Sequence, residues 1–354
     1  MPLRIGWWVD GVVGGMSKLL YALRGAEHDT VEDLPRYLDR APHELFPAPT
    51  KVPTARRRRT LTLGLRTVEE VTFESEHVSL CPRYARRHAR EYASNHTVFA
   101  RWIHPPTRRR RSLLLYVHGW LEPGPWIEET TLFPRLDREV GVDVAHLTLP
   151  FHGKRKPKGS LFHGEWYWSA DLVRTMEAVR QSVIDVRSAM AWFRAQGYEQ
   201  IGVAGISLGG AITMITACVS PTPDYIVPIV AHLDLGDAVE NAPILWRMKS
   251  DLERFGIGEE QRRALMARTG LPTLPPVLAP ERQLWIAARD DMYISAKSVE
   301  RQWDAWGKPP IVWIRGGHMT FPAAMGTIVE SIGSFRRDLA VAEGRRPSHR
   351  PRRH

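Results

Sequence analysis

The sequence predicts an α/β fold of three layers: a mostly parallel sheet between two layers of helices, with a helical cap and an extra amino-terminal segment. Three observations carry this. Short apolar runs at 113–117, 142–149, 201–204, 225–233, 284–288 and 311–314 each stop at a turn, as strands buried on both faces do. A long helical pattern at 169–196 leads straight into one of these runs, the arrangement of a right-handed crossover between parallel strands. That run, Ile201-Gly202-Val203-Ala204, then passes through Gly205-Ile206-Ser207-Leu208-Gly209 into Ala211-Ile212-Thr213-Met214. Strand, tight turn and helix follow one another, with a serine at the apex.

Residues 1–25 are apolar around Trp7, Trp8, Val12, Leu19 and Leu20, but Arg4, Asp10, Lys18 and Arg24 interrupt them. They lack the unbroken apolar run and small-residue cleavage site of a signal peptide. The expected form is a helix packed on the protein's own body, with a membrane surface as the alternative. Residues 41–60 hold Pro42, Pro47, Pro49, Pro53 and then four arginines, the composition of a connecting coil. Antiparallel opening strands are expected at 71–80 and 96–103, with a helical turn at 83–92 between them.

The strand at 113–117 ends in His118-Gly119-Trp120. A helix over 126–139 and a strand over 142–149 come next. The charged stretch Pro150-Phe151-His152-Gly153-Lys154-Arg155-Lys156-Pro157 follows, near the carboxyl ends of the strands where such sheets bind ligands. It reads as an exposed connection more than as an anion site. The helix at 169–196 carries Leu172, Met176, Val179, Val183, Val186, Met190 and Phe193 on one face. Ser169 is its candidate cap and Gly197 its stop. After the run at 225–233, two helical pieces at 244–255 and 259–269 are expected to form a cap at about 236–280. Asp290-Asp291 and Gly316-Gly317-His318 follow the last two strands, and a helix over 328–341 closes the fold. The expected division is 1–60 as segment and linker, 61–341 as the main domain, and 342–354 as a disordered basic tail.

With 354 residues, 43% of them hydrophobic, the chain suits one large domain with additions. The formal charge of +10 comes mainly from arginine, bunched at 56–59, 108–111 and 345–353. No zinc-finger spacing or aromatic RNA-binding motif accompanies these runs. They read as solvated loops, and nucleic acid is not an expected partner. Cys81 and Cys218 cannot make a disulfide framework. No stretch approaches the roughly 18 apolar residues of a membrane span. The expected location is cytoplasmic, with peripheral membrane contact as the alternative; the sequence carries no sign of oligomeric state.

The turn at 205–209 has the form G-x-S-x-G, a strained elbow that exposes a nucleophilic hydroxyl. Its glycines let strand and helix approach closely. Four stretches together resemble the α/β-hydrolase fold family over about 71–341: 150–157, Gly205-Ile206-Ser207-Leu208-Gly209-Gly210, Ala288-Arg289-Asp290-Asp291-Met292-Tyr293-Ile294 and Gly316-Gly317-His318. The narrower resemblance is to the α/β-hydrolase domain-containing 18 group. It implies a serine hydrolase working through an acyl-enzyme, with Ser207 as nucleophile, His318 as base and an aspartate as the third member. Aligning Ile294 with the aliphatic residue of the family's strand ending makes that acid Asp291, with Asp290 next and Asp234 third. The expected oxyanion donors are the backbones of Leu208 and Trp120, with His118 structural. The substrate class is a small-molecule ester, an acyl lipid among the candidates, and the chemistry calls for no metal or cofactor. The alternatives are a non-catalytic binding or scaffold protein on the same fold, or a peptidase or acyltransferase using the same triad.

Overall fold

The apolar runs form the middle of a nine-stranded sheet in a computed structural model that describes residues 5–21, 31–63, 66–106 and 110–344. The strands are β1 (Arg56–Leu63), β2 (Arg66–Glu74), β3 (Thr97–His104), β4 (Ser112–Val117), β5 (Asp143–Leu147), β6 (Gln200–Ile206), β7 (Tyr225–Ile229), β8 (Trp285–Ala288) and β9 (Ile311–Ile314). Their order is β1-β2-β3-β5-β4-β6-β7-β8-β9. The first three strands join antiparallel, as does β3 to β5, and every pairing from β5 to β9 is parallel. The main helices are α1 (Ile5–Tyr21), α2 (Pro82–Glu91), α3 (Leu172–Ala195), α4 (Leu208–Val219), α5 (Leu235–Asn241), α6 (Trp246–Arg254), α7 (Glu259–Ala267), α8 (Ala296–Ala305) and α9 (Met325–Ala342). Side chains alternate across β4: Leu113, Leu115 and Val117 enter the core under α3 and α4, while Leu114 and Tyr116 enter the one under α9. Both faces of the sheet are therefore covered, as its unbroken apolar strands require.

Two local expectations are corrected. The four arginines at 56–59 lie in β1 rather than in a coil. β1 is an edge strand whose outer residues stay in water, so it shows no alternating apolar pattern. Arg57 pairs with Glu69 at 2.7 Å, Arg58 pairs with Glu70 at 3.1 Å, and the Arg57 guanidinium lies 5.0 Å from the centre of the Trp102 ring. Second, Asp171 rather than Ser169 caps α3, accepting the Arg174 N–H at 2.9 Å. The polar side of α3 is covered as well. Its Glu177 accepts hydrogen bonds from Tyr37 and His77, and from the Ser79 hydroxyl and Leu80 N–H at 2.8 Å each. Arg180 donates to the Leu45 carbonyl at 2.8 Å. The segments before β1 and between β2 and β3 thus form a second polar layer over the helix.

The cations at 154–156 are also engaged internally. Buried Arg155 forms an ion pair with Asp185 at 2.8 Å and donates to the carbonyls of Thr148 and Asn95. Lys154 pairs with Glu70, and Lys156 donates to the Ser160 carbonyl at 2.6 Å. These bonds anchor the loop that follows β5. Cys81 and Cys218 are free and buried. Among the described residues no helix is long and apolar enough to cross a membrane. The arginine-rich tail at 345–354 lies outside the described residues.

Candidate active site

Ser207 sits between β6 and α4 with φ 52° and ψ −115°, a backbone conformation that L-residues rarely adopt. Glycines make this turn feasible. A Cβ on Gly205 would lie 2.3 Å from the Gly209 carbonyl oxygen, and one on Gly209 would lie 2.0 Å from that of Val117. The Ser207 N–H is tied to the Ile229 carbonyl at 2.9 Å. Its hydroxyl is left facing His318, whose Nε2 lies 2.8 Å from Oγ. His318 follows β9, and its Nδ1 lies 2.8 Å from Asp291 Oδ2 on the loop after β8. The other Asp291 oxygen accepts the N–H groups of Tyr293 (2.8 Å) and Ile294 (2.7 Å). Nδ1 must therefore carry the proton given to Asp291, which leaves the Nε2 lone pair aimed at the serine. Burial would lower the His318 pKa, but the Asp291 carboxylate outweighs it, and the pKa ends above its ordinary value.

Ser207 and His318 open into a cavity of about 100 Å³. Its walls are mostly apolar: Met176 and Val179 from α3, Ile212 and Ile215 from α4, and Ala238, Ile244 and Leu271 from the region expected to cap the site. Trp120 and Leu208 border the same cavity. Leu208 is the first residue of α4, so its N–H belongs to the first-turn donors that have no partner within the helix.

The fold resembles that of solved esterases. An acetyl xylan esterase from Paenibacillus sp. R4 superposes with a TM-score of 0.57 at 13% identity, covering 90% of this chain and 99% of that one. Acetyl xylan esterase 1 from Thermoanaerobacterium sp. gives 0.56 at 14% identity, covering 87% and 96%. The chain has the α/β-hydrolase fold. The family model "Alpha/beta hydrolase domain containing 18" matches residues 131–241, a stretch that holds both the 150–157 loop and the serine elbow. An uncharacterized protein of Mycobacterium tuberculosis is 28% identical over 250 residues, 62% of this chain. The match spans 55% of that relative's length.

Within this fold, the two other candidate acids make different contacts. Asp290 donates its N–H to the Gly316 carbonyl at 3.0 Å, and Asp234 caps α5 by accepting the Asp237 N–H at 2.9 Å. His118 is held in the neutral form, its pKa lowered to about 4 by burial. It donates Nδ1–H to the Gly119 carbonyl at 2.7 Å and accepts the Leu149 N–H at 3.0 Å, so it braces the loop that carries Trp120. Among the described residues no cluster of three or more His, Cys, Asp or Glu side chains is arranged to hold a metal ion.

Two features of the site escape sequence reasoning. His232, after β7, lines the cavity and is kept neutral by burial. Asp10, on α1, reaches the loops of both Asp291 and His318. Its only signal in the sequence is an acidic residue in a mostly apolar helix whose other charge is Lys18. That helix packs on the body: Gly14 meets Pro243 in the cap region, Gly11 meets Met292, and Gly6 meets Gly316 and Gly317.

Proposed function

We propose that this protein is a serine hydrolase that cleaves an ester whose acyl chain lies in the apolar cavity. The observation that carries the reading is the hydrogen-bonded line Ser207–His318–Asp291, which begins at a strained serine on the cavity wall. Ser207 Oγ attacks the ester carbonyl while His318 Nε2 takes its proton, and Asp291 stabilises the imidazolium that forms. The N–H groups of Leu208 and Trp120 receive the oxyanion. Collapse breaks the bond to the alcohol, which leaves with the proton held by His318. Water then gives a proton to His318 and attacks the acyl-serine, releasing the acid. Two proteins that share the fold are named acetyl xylan esterases, which favours an ester as the scissile group. The apolar walls favour an acyl chain longer than acetate, as in an acyl lipid.

Labelling with a fluorophosphonate probe tests the reading. The wild-type protein should label at one serine and Ser207→Ala at none, with the fold retained by circular dichroism. Full labelling of Ser207→Ala would place the nucleophile elsewhere, and an unlabelled, inactive wild type would leave the fold as a binding scaffold.

A further inference from the structure

We propose that Asp10 is a positioning residue that holds the loops of Asp291 and His318 in their mutual alignment. The proposal rests on reading Ser207, His318 and Asp291 as a triad. Asp10 is completely buried. Its Oδ2 accepts the N–H of His318 at 2.7 Å and that of Met292, next to Asp291, at 3.0 Å. Its Oδ1 accepts the Met319 N–H at 2.7 Å. The Asp10 carbonyl accepts the Tyr293 hydroxyl at 2.9 Å, and the Tyr293 ring lies 4.9 Å from the His318 imidazole. One carboxylate, supplied by neither loop, thus joins the two loops whose side chains must meet.

The surroundings are shaped for this contact. Gly6 lies one turn before Asp10 on α1. A Cβ on Gly6 would fall 2.0 Å from the Gly317 nitrogen, and a Cβ on Gly317 would fall 2.5 Å from Asp10 Oδ2. Both glycines are what the close approach of helix and loop demands. Hydrogen bonds to an ionised carboxylate are stronger than those between neutral groups, and three converge here. The charge also reaches the base. Burial lowers the His318 pKa, Asp291 raises it, and Asp10 raises it further. The other polar groups facing the imidazole are Tyr293 on the loop after β8 and Ser207 on the elbow, with His232 and Asp234 lining the same cavity from the segment after β7.

Asp10 acts through the triad, so the test needs readouts that simple destabilisation does not move. Asp10→Asn keeps the shape, removes the charge, and turns an NH2 group toward N–H donors. On a p-nitrophenyl butyrate substrate, kcat should fall about 100-fold, as expected for loops displaced by about an ångström, with KM within twofold. The acid limb of the pH–rate profile should move to lower pH, because His318 loses its proton more readily. Gly6→Ala leaves the carboxylate intact but pushes α1 away from Gly317, and it should lower kcat as well. Val12→Ala, on the exposed side of α1, should change neither quantity. Nuclear magnetic resonance titration of His318 needs no turnover and should give a lower pKa in Asp10→Asn than in the wild type. A folded Asp10→Asn protein with wild-type kcat and an unchanged His318 pKa overturns the proposal, even if it melts at a lower temperature. A wild type that neither labels nor turns over sinks the triad reading, and the titration still decides whether Asp10 bears on His318.

Discussion

Asp291→Asn is the most informative single change at the site. Asp291 faces donors on both oxygens: the backbone N–H groups of Tyr293 and Ile294 on Oδ1, and His318 Nδ1–H on Oδ2. An asparagine of the same shape must keep its carbonyl oxygen toward the two backbone groups, so its NH2 turns toward His318. Nδ1 then has to accept a hydrogen bond, and the ring proton moves to Nε2, opposite Ser207. In that tautomer the imidazole donates to the serine and cannot take its proton. Loss of tautomer control in a serine triad costs roughly ten-thousand-fold in turnover, about 5.4 kcal/mol of barrier. The assay is kcat on a p-nitrophenyl ester, alongside the rate of fluorophosphonate labelling, with thermal melting to show that the fold persists. Asp290→Asn, whose backbone bonds Gly316, should lose less than about tenfold, on the scale of a change that leaves the tautomer untouched. A smaller loss at Asp291 than at Asp290 would refute the reasoning.

Two further outcomes are expected. Burial would raise the Glu177 pKa, but hydrogen bonds and charge from His77, with Arg180 and Tyr37, bring it down from its ordinary 4.5 to about 2. The folded-state pKa is depressed, so this carboxylate contributes stability above pH 4.5 that is lost as pH falls toward 2. Glu177→Gln should therefore cost about 3 kcal/mol at pH 7 and less at pH 3, read from urea midpoints; an equal cost at both would contradict the assignment. Ala238→Phe, on the cavity wall, should shift the ratio of kcat/KM values for octanoate against acetate esters at least tenfold toward acetate, the order of effect that lost pocket space has. An unchanged ratio would place the acyl chain outside this cavity.

The parts of the site that could be read from the sequence share one property: each lies within a few residues of the end of an apolar strand. Ser207, Asp291 and His318 come after apolar runs that end in turns, so their positions at the carboxyl edge of the sheet follow from chain order. Asp10 has no such marker. Its partners lie 282 to 309 residues further along the chain, and nothing local to α1 indicates where it docks. The arginines of β1 misled for a different reason. On an edge strand the water-facing side chains carry no core pattern, and the partners Glu69 and Glu70 become visible only once the strands pair. The cover over the polar side of α3 comes from segments far away, through Tyr37, Leu45 and His77, so nothing local to the helix announces it.

The Asp10 clasp also sets an order of events during synthesis. Asp10 precedes His318 by 308 residues. At translation rates of roughly 5–20 residues per second, about 15–60 s separate their emergence. In that interval the α1 carboxylate has none of its loop partners, and the four glycines of α1 weaken the helix on its own in water. The sheet can grow strand by strand behind it, but the line Ser207–His318–Asp291 closes only after β9 and its loop have been made. A nascent chain that already carries the serine elbow therefore still lacks the Ser207–His318–Asp291 contacts, which form late, when two distant segments meet.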